Sequence, residues 1–392
     1  MREESTVQQG IKRRGFSASL GLAALGVGGW ITGCSKVPDT IKIGVAQPLS
    51  GPLAGLGQDL LNGVKLAVDE INRSGLNVDG KRVTLEVVAQ DDRADAASGK
   101  AAAQQLLESG VVAVIGHLNS GVSLETAPIY AAKEVPQLII STNPRITQLG
   151  LATTFRIVAN DNLQARAIGA FAAAQLNADA YAVVDDGSPY GKGLAEGAAA
   201  QLLAAKKHIA VRQSFDDKTV AFAELAGRLK EAQVRVIVCM LNDFQALALL
   251  QELQKLGHSR VALLGGDLVK TADMAKGMGV IDGIYATSPV LDVAEFTTGR
   301  QFLEKYIAAF QKPPAYGGHY TYDAVYVVSE AIKKAGSAAP ADITRALRGI
   351  NGYAPVTGTM AWDGQGELRY GAVGVYELRK GQWELRMRSD RW

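Results

Sequence analysis

The sequence predicts an α/β protein of two similar lobes, each a mainly parallel sheet with helices packed on both faces. Three observations carry this. From Thr40 onward, short apolar runs alternate with segments whose apolar residues recur at helical spacing, the pattern of successive βα units. Runs such as Val111–Ile115 have no polar face, as a parallel strand covered on both sides requires. The alternation fills two consecutive series of about five units, which fits two lobes better than one long sheet.

In the first series, IKIGVAQPLS reads as a strand ending in a turn, followed by the glycine-rich GPLAGLGQD. Leu60, Val64, Ala67, Val68 and Ile71 then repeat at helical spacing. Val83–Gln90 is the next strand and Ala94–Ser109 a helix. Val111–Ile115 turns at Gly116 into His117-Leu118-Asn119-Ser120-Gly121 and a helix through Glu134, with Pro128 early enough to be tolerated or to kink it. Gln137–Ser141 is a strand and Phe155–Val158 a short extended piece. The second series runs from a helix at Leu163–Leu176 to a strand at Val261–Leu264 that enters Gly265-Gly266-Asp267. Between them lie strands at Ala180–Asp185, Ile209–Phe215 and Val234–Met240. Helices are expected at Tyr190–Lys207, Phe222–Glu231, Asp243–Leu256 and Thr271–Met278. The tail breaks the alternation, with helices at Thr298–Phe310, His319–Ala335 and Ala341–Leu347. Short strands follow at Thr357–Trp362, Val373–Leu378 and Trp383–Met387. It is too short for a third domain and is expected to complete the two lobes.

The first 33 residues differ from the rest. Lys12-Arg13-Arg14-Gly15-Phe16 precedes an uncharged Gly/Ala-rich run that is short for a membrane span, the layout of a signal peptide. Arg13-Arg14 with Phe16 resembles the twin-arginine export motif, with Lys12 where Ser or Thr is usual. Ile31-Thr32-Gly33-Cys34 resembles a bacterial lipobox, which implies cleavage before a lipidated Cys34. The leader holds four basic and two acidic residues, so the mature chain carries 37 of each and is neutral. A neutral body without Lys/Arg clusters argues against nucleic acid as a partner. The other cysteine, Cys239, lies in the apolar VRVIVCML and reads as a core residue, so no disulfide is expected.

No catalytic pattern stands out. Gly187–Gly193, GSPYGKG, lacks the spacing and the terminal Ser/Thr of a phosphate loop. The four histidines sit in unrelated segments without metal-ligand spacing, and there is no G-x-S-x-G elbow. Asp91-Asp92 and Asp185-Asp186 read as loop-capping carboxylates, because neighbouring strand residues face opposite ways. No cofactor or metal is expected. What remains is a set of residues at strand ends, Ser50, Ser120, Thr142, Tyr190, Asn242 and Asp267, where open α/β sheets bind ligands. Ser120 at a helix start suits an anion.

The strand into Gln47-Pro48-Leu49-Ser50-Gly51-Pro52 and the following GLGQDLLNGVKLAVDEIN resemble type I periplasmic binding proteins of the leucine/isoleucine/valine group, the receptors of ABC importers. The resemblance continues through Gln90-Asp91-Asp92, Val114–His117, Pro136–Ser141, Tyr190–Gly193, Tyr320–Val325 and Gly358–Gly366, and so spans the mature chain. It implies two Rossmann-like lobes with parallel central sheets, joined by three crossover strands near Val158, Ser288 and Tyr353, that close on a ligand. The implied lobes are residues 39–158 with 289–354, and 159–288 with 355–392. By matching position, Ser120 and Thr142 would hold an α-carboxylate and Asp267 would meet an α-ammonium. Tyr190 would cover the ligand, with Leu118, Asn119 and Leu56 nearby. The chain departs from the family pattern in a shortened turn at Ser141-Thr142-Asn143-Pro144 and in Asp rather than Glu at 267. Arg93 and Asn119 also stand where some members carry a disulfide.

The expectation is therefore an extracytoplasmic, lipid-anchored, non-enzymatic and monomeric receptor. It would deliver a branched-chain or similar amino acid to the permease subunits of an ABC importer. The alternatives are the same fold binding an amide, urea or an organic acid, and a sensor that reports ligand to a membrane kinase.

Overall fold

The computed structural model describes residues 37–358 and 360–391. The leader, with Cys34 and its expected lipidation, and Thr359 lie outside the described residues. Among the described residues no helix is long and apolar enough to cross a membrane.

The first series folds as β1 (Thr40–Gln47), α1 (Ala54–Ser74), β2 (Leu76–Val78), β3 (Lys81–Asp91), α2 (Ala96–Glu108), β4 (Ala113–Gly116), α3 (Ser120–Ala131), β5 (Gln137–Ile139), α4 (Arg145–Gln148) and β6 (Thr154–Arg156). Its sheet has the order β2-β3-β1-β4-β5-β6. The second series gives α5 (Asp161–Gln175), β7 (Tyr181–Asp185), α6 (Pro189–Ala204), β8 (Ile209–Ser214), α7 (Ala223–Glu231), β9 (Val236–Met240), α8 (Asp243–Lys255), β10 (Ala262–Gly265) and β11 (Gly283–Ser288). The tail adds α9 (Gly299–Phe310), α10 (Gly318–Ala335), α11 (Pro340–Arg348), β12 (Gly374–Arg379) and β13 (Gln382–Arg388). The second sheet has the order β13-β12-β11-β10-β9-β7-β8. The fold is mixed α/β with two mostly parallel sheets, as the alternation predicts. The antiparallel members are β2 against β3, β12 against β11, and β13 against β12.

Both sheets reverse winding direction near their centres. In the first, β1 lies between β3 and β4; in the second, β7 lies between β8 and β9. At such points the loops after neighbouring strands part, leaving a crevice outside their carboxyl ends. Every wall of the cleft described below comes from such loops or from the segment ahead of α10.

Three segments differ from expectation. Thr357–Trp362 is not a strand; only isolated bridges, Asn351 to Ala361 and Trp362 to Leu368, form there. Gly283–Ser288, lost among glycines in the sequence, is a full sheet member. The 3₁₀ turns Asp267–Val269 and Asp273–Gly277 replace the helix expected at Thr271–Met278. The tail also stays with the first sheet longer than expected. Trp362 Nε1 donates to the Arg156 carbonyl at 2.7 Å and the Arg156 amide donates to the Gly366 carbonyl. The third passage between the sheets therefore falls near Gly371, which packs on the Ala159 backbone, rather than at Tyr353.

α10 returns to pack on α1, and the two backbones nearly touch. A Cβ on Gly63 would stand 1.9 Å from the Gly318 carbonyl oxygen, so this position requires glycine. The Thr321 hydroxyl donates to the Leu60 carbonyl at 2.7 Å across the same contact. Cys239 is fully buried in β9, and burial pushes its thiol up to about 12.

Candidate functional site

The cleft between the two sheets holds a small inner cavity of about 20 Å³ that opens toward an outer mouth of about 690 Å³. The inner cavity takes Leu118, Asn119, Ser120, Ile140, Ser141 and Thr142 from loops after β4 and β5. Tyr190, Asp267 and Leu268 face them from the second sheet, and Tyr316 enters from ahead of α10. Six of the residues expected at the site thus meet around one space: Leu118, Asn119, Ser120, Thr142, Tyr190 and Asp267.

Ser120 is the first residue of α3 rather than its cap; Asn119 occupies the cap position without a capping side-chain bond. The Ser120 side chain is buried, and its Oγ accepts from the Asn143 amide at 3.3 Å. The Asn119 Oδ1 atom is buried with no hydrogen-bond partner. A helix start with a hydroxyl suits an anion, since the first amides of the helix lack intrahelical acceptors. The turn that carries these residues is anchored from behind. His117 Nδ1 lies 2.6 Å from Asp92 Oδ2, its Nε2 faces the Tyr130 hydroxyl at 3.2 Å, and the His117 and Asp92 side chains are both fully buried. Asp92 also accepts from the Ala94 amide, the capping role expected of it.

The shortened Ser141–Pro144 turn has its own buttress. The Arg156 guanidinium is fully buried and donates to the carbonyls of Ser141 and Asn143, the latter at 2.9 Å. It also makes a two-pronged pair with Glu367, both bonds at 3.0 Å. Thr147 donates its hydroxyl to the same carboxylate. A turn with fewer residues of its own is thus held by a charge pair whose members lie 211 residues apart.

On the second sheet Asp267 is held by three donors. Tyr190 donates to Oδ1 at 2.6 Å, Gln164 Nε2 to Oδ1 at 3.1 Å, and Tyr316 to Oδ2 at 2.8 Å. Gly266 makes the first contact possible, because a Cβ there would lie 2.2 Å from the Tyr190 hydroxyl. Burial, then the charges of Asp267 and Asp161, push the Tyr190 and Tyr316 phenols well above their ordinary range, so both stay neutral donors. Tyr316 owes its place to Asp59 of α1, whose Oδ2 accepts from the amides of Tyr316 and Gly318 at 2.9 and 2.8 Å.

Asp161, at the start of α5, was not singled out in the sequence. It is fully buried and neither carboxylate oxygen has a well-formed hydrogen-bond partner. Burial raises it to about 7, the nearby Thr142 hydroxyl opposes this, and the charge of Asp267 reinforces it. Asp161 does not line the cavity itself, but its charge and that of Asp267 act on each other and on the phenols of Tyr190 and Tyr316.

Two expected residues do not reach the inner cavity. Leu56 is buried in the hydrophobic core. Asn242 lines the outer mouth, where its side chain closes a capping box on α8 and donates to Asp186 Oδ2 at 3.2 Å. Ile140, Ser141, Leu268 and Tyr316 line the cavity without having been expected there. GSPYGKG is an ordinary helix start: Ser188 caps α6 by accepting from the Gly191 amide at 3.0 Å. The walls also touch each other across the cleft, with Asn143 Nδ2 donating to the Pro189 carbonyl at 2.6 Å.

Two α/β layers with a polar cavity between their strand ends define a solute-binding protein of the clamp type. The sequence matches the periplasmic binding protein family model over residues 40–382, and the chain belongs to that family. It is a binding protein, not an enzyme. A Leu/Ile/Val-binding protein homolog of Brucella abortus is 30% identical over 346 residues, covering 87% of this chain and 91% of the relative. A leucine-, isoleucine-, valine-, threonine- and alanine-binding protein of Pseudomonas aeruginosa is 29% identical, covering 91% of this chain and 95% of the relative. Among solved structures, the branched-chain amino acid transporter substrate binding protein LivJ of Streptococcus pneumoniae, in complex with isoleucine, superposes with a TM-score of 0.79. It is 25% identical and covers 88% of this chain and 98% of LivJ.

Proposed function

We propose that this protein is the receptor for an apolar, branched-chain or similar amino acid and delivers it to the permease subunits of an ABC importer. The observation that carries the reading is the opposition of charges across one cavity. The α3 start with Ser120 and Thr142 receives the carboxylate from the first sheet. Asp267, with Tyr190 over it, receives the ammonium from the second, and Leu118, Ile140 and Leu268 meet the side chain. Both charges of a zwitterion must lose water when the walls close, and a charge-assisted hydrogen bond contributes about 1.5–3 kcal/mol against that cost. The amino acids named for the relatives support the same ligand class.

The inner cavity of about 20 Å³ is far smaller than a leucine side chain. Binding on this reading therefore begins with an opened cleft and ends in closure about the three passages between the sheets. In the same proposal the leader exports the chain and Cys34, diacylated, anchors it at the outer face of a membrane, where two acyl chains suffice for stable attachment. A thermal-shift screen of the purified mature chain tests the ligand class. Branched-chain amino acids should raise the melting temperature, while urea, amides and simple organic acids leave it unchanged. A rise with an organic acid alone would replace the reading. For the anchor, Cys34→Ser should release the protein into the soluble fraction; unchanged fractionation would remove it.

A further inference from the structure

We propose that Asp161, buried behind the cavity wall and coupled to Asp267, exchanges a proton in response to the ligand's cationic group, so that binding of an amino acid expels a proton and weakens on acidification. The inference rests on the amino-acid reading above and adds a regulation of the same site.

The geometry comes first. Asp161 is buried, and both its carboxylate oxygens lack a well-formed partner, which is unusual for a buried polar group. It stands directly behind the cavity wall rather than in it, because its amide donates to the carbonyl of the lining residue Thr142 at 3.0 Å. A buried carboxylate without a partner is costly when charged, so burial in the free protein favours the protonated form. The charged and titratable groups facing it come from several elements. Asp267, after β10, and Glu367, in the tail, both favour the protonated form; Arg156 of β6 and the Thr142 hydroxyl favour the ionised one. The phenols of Tyr190 and Tyr316 lie within its field and stay neutral. Burial dominates, and the group titrates near neutrality, at about 7.

An ammonium placed at Asp267 reverses this balance. It offsets the charge of Asp267 and adds a second cation to Arg156 in the field at Asp161, and Asp161 ionises with the proton passing to solvent. Asp161 also occupies the first turn of α5, whose free amides favour the anion. The sign follows by linkage: below neutrality the ligand must displace a proton, so affinity falls with pH, and well above it the site is already ionised. A ligand carrying a carboxylate but no amine would leave Asp161 protonated and expel nothing.

Calorimetric titration of the purified mature protein with L-leucine, in pairs of buffers of different ionisation enthalpy, counts the protons. Close to one proton should leave per leucine at about pH 6 and almost none at about pH 8.5, with affinity falling roughly tenfold between pH 8 and 6. Asp161→Asn should abolish the proton release and flatten the pH profile while leucine still binds, more weakly. The buried Asp186, also raised, to about 6, is left intact by that variant, so a profile that survives in Asp161→Asn would assign the effect elsewhere and overturn the proposal. Should the variant not fold, the wild-type proton count decides alone. Leucine binding without proton release at pH 6 overturns the proposal and spares the amino-acid reading. Failure of leucine and every other amino acid to bind at pH 8.5 overturns both.

Discussion

The two walls of the cleft differ in where they keep their charge. On the first sheet the surface facing the cavity is neutral, made of Asn119, Ser120, Ser141 and Thr142, and the titratable pairs stand behind it as Asp92–His117 and Arg156–Glu367. On the second sheet the carboxylate itself, Asp267, faces the cavity, held by neutral donors, Tyr190 beside it and Gln164 behind. The first arrangement fixes the position of amides and hydroxyls that an anion needs, while adding no field of fixed sign. The second presents a charge and limits its cost by giving each oxygen a donor. A wall that receives a carboxylate needs geometry, and a wall that receives an ammonium needs charge.

This contrast is open to attack at the buttress. Arg156→Met should leave Glu367 and the carbonyls of Ser141 and Asn143 without their donor. Stability should drop by about 3–5 kcal/mol, toward the lower end because Glu367 keeps some contact with water. Urea unfolding would read it; a midpoint equal to wild type would mean that the shortened turn holds itself. The second wall is tested by Asp267→Asn, which keeps the size and removes the charge. Leucine affinity should fall tenfold to a thousandfold, or about 1.4–4 kcal/mol, with folding stability much less affected. Wild-type affinity in that variant would take Asp267 out of the site.

Smaller effects sharpen the comparison. Ser120→Ala removes one hydroxyl from a wall that also offers backbone amides, so affinity should fall by about 0.5–1.5 kcal/mol. A loss as large as that of Asp267→Asn would show that the first wall concentrates its grip in one group. Asn143→Ala removes the bond to the Pro189 carbonyl that joins the walls directly. The closed state should lose about 0.5–1.5 kcal/mol, and small-angle scattering of the free protein should show a larger radius of gyration. An unchanged radius would mean that the closed form of the free protein is held elsewhere, with Tyr316–Asp267 the next bond to remove.

How much of this the sequence discloses follows the same division. Ser120, Thr142, Tyr190 and Asp267 are legible because each follows an apolar strand, and strand ends of a parallel sheet converge on the cleft. The buttresses are not legible. Arg156 meets Glu367 across 211 residues, and Asp59 meets Tyr316 across 257, pairings that no local pattern records. Asp161 reads as an ordinary first-turn acid of a helix until burial leaves it without a partner. Asn242 sits where a strand-end residue should, but its amide is committed to its own helix and to Asp186. The fold is legible wherever strands are apolar throughout, and the glycine-bearing GIYATS and the bridged tail around Trp362 escape that test.

The central claim is that the cleft recognises both charges of a zwitterion, one on each wall. Calorimetric titration of the wild-type protein with leucine, isocaproate and isoamylamine compares the whole ligand with copies lacking the amine or the carboxylate. Leucine should bind, and each analogue should bind at least a hundredfold more weakly, a difference of about 2.7 kcal/mol or more. Isocaproate binding as tightly as leucine would contradict the claim.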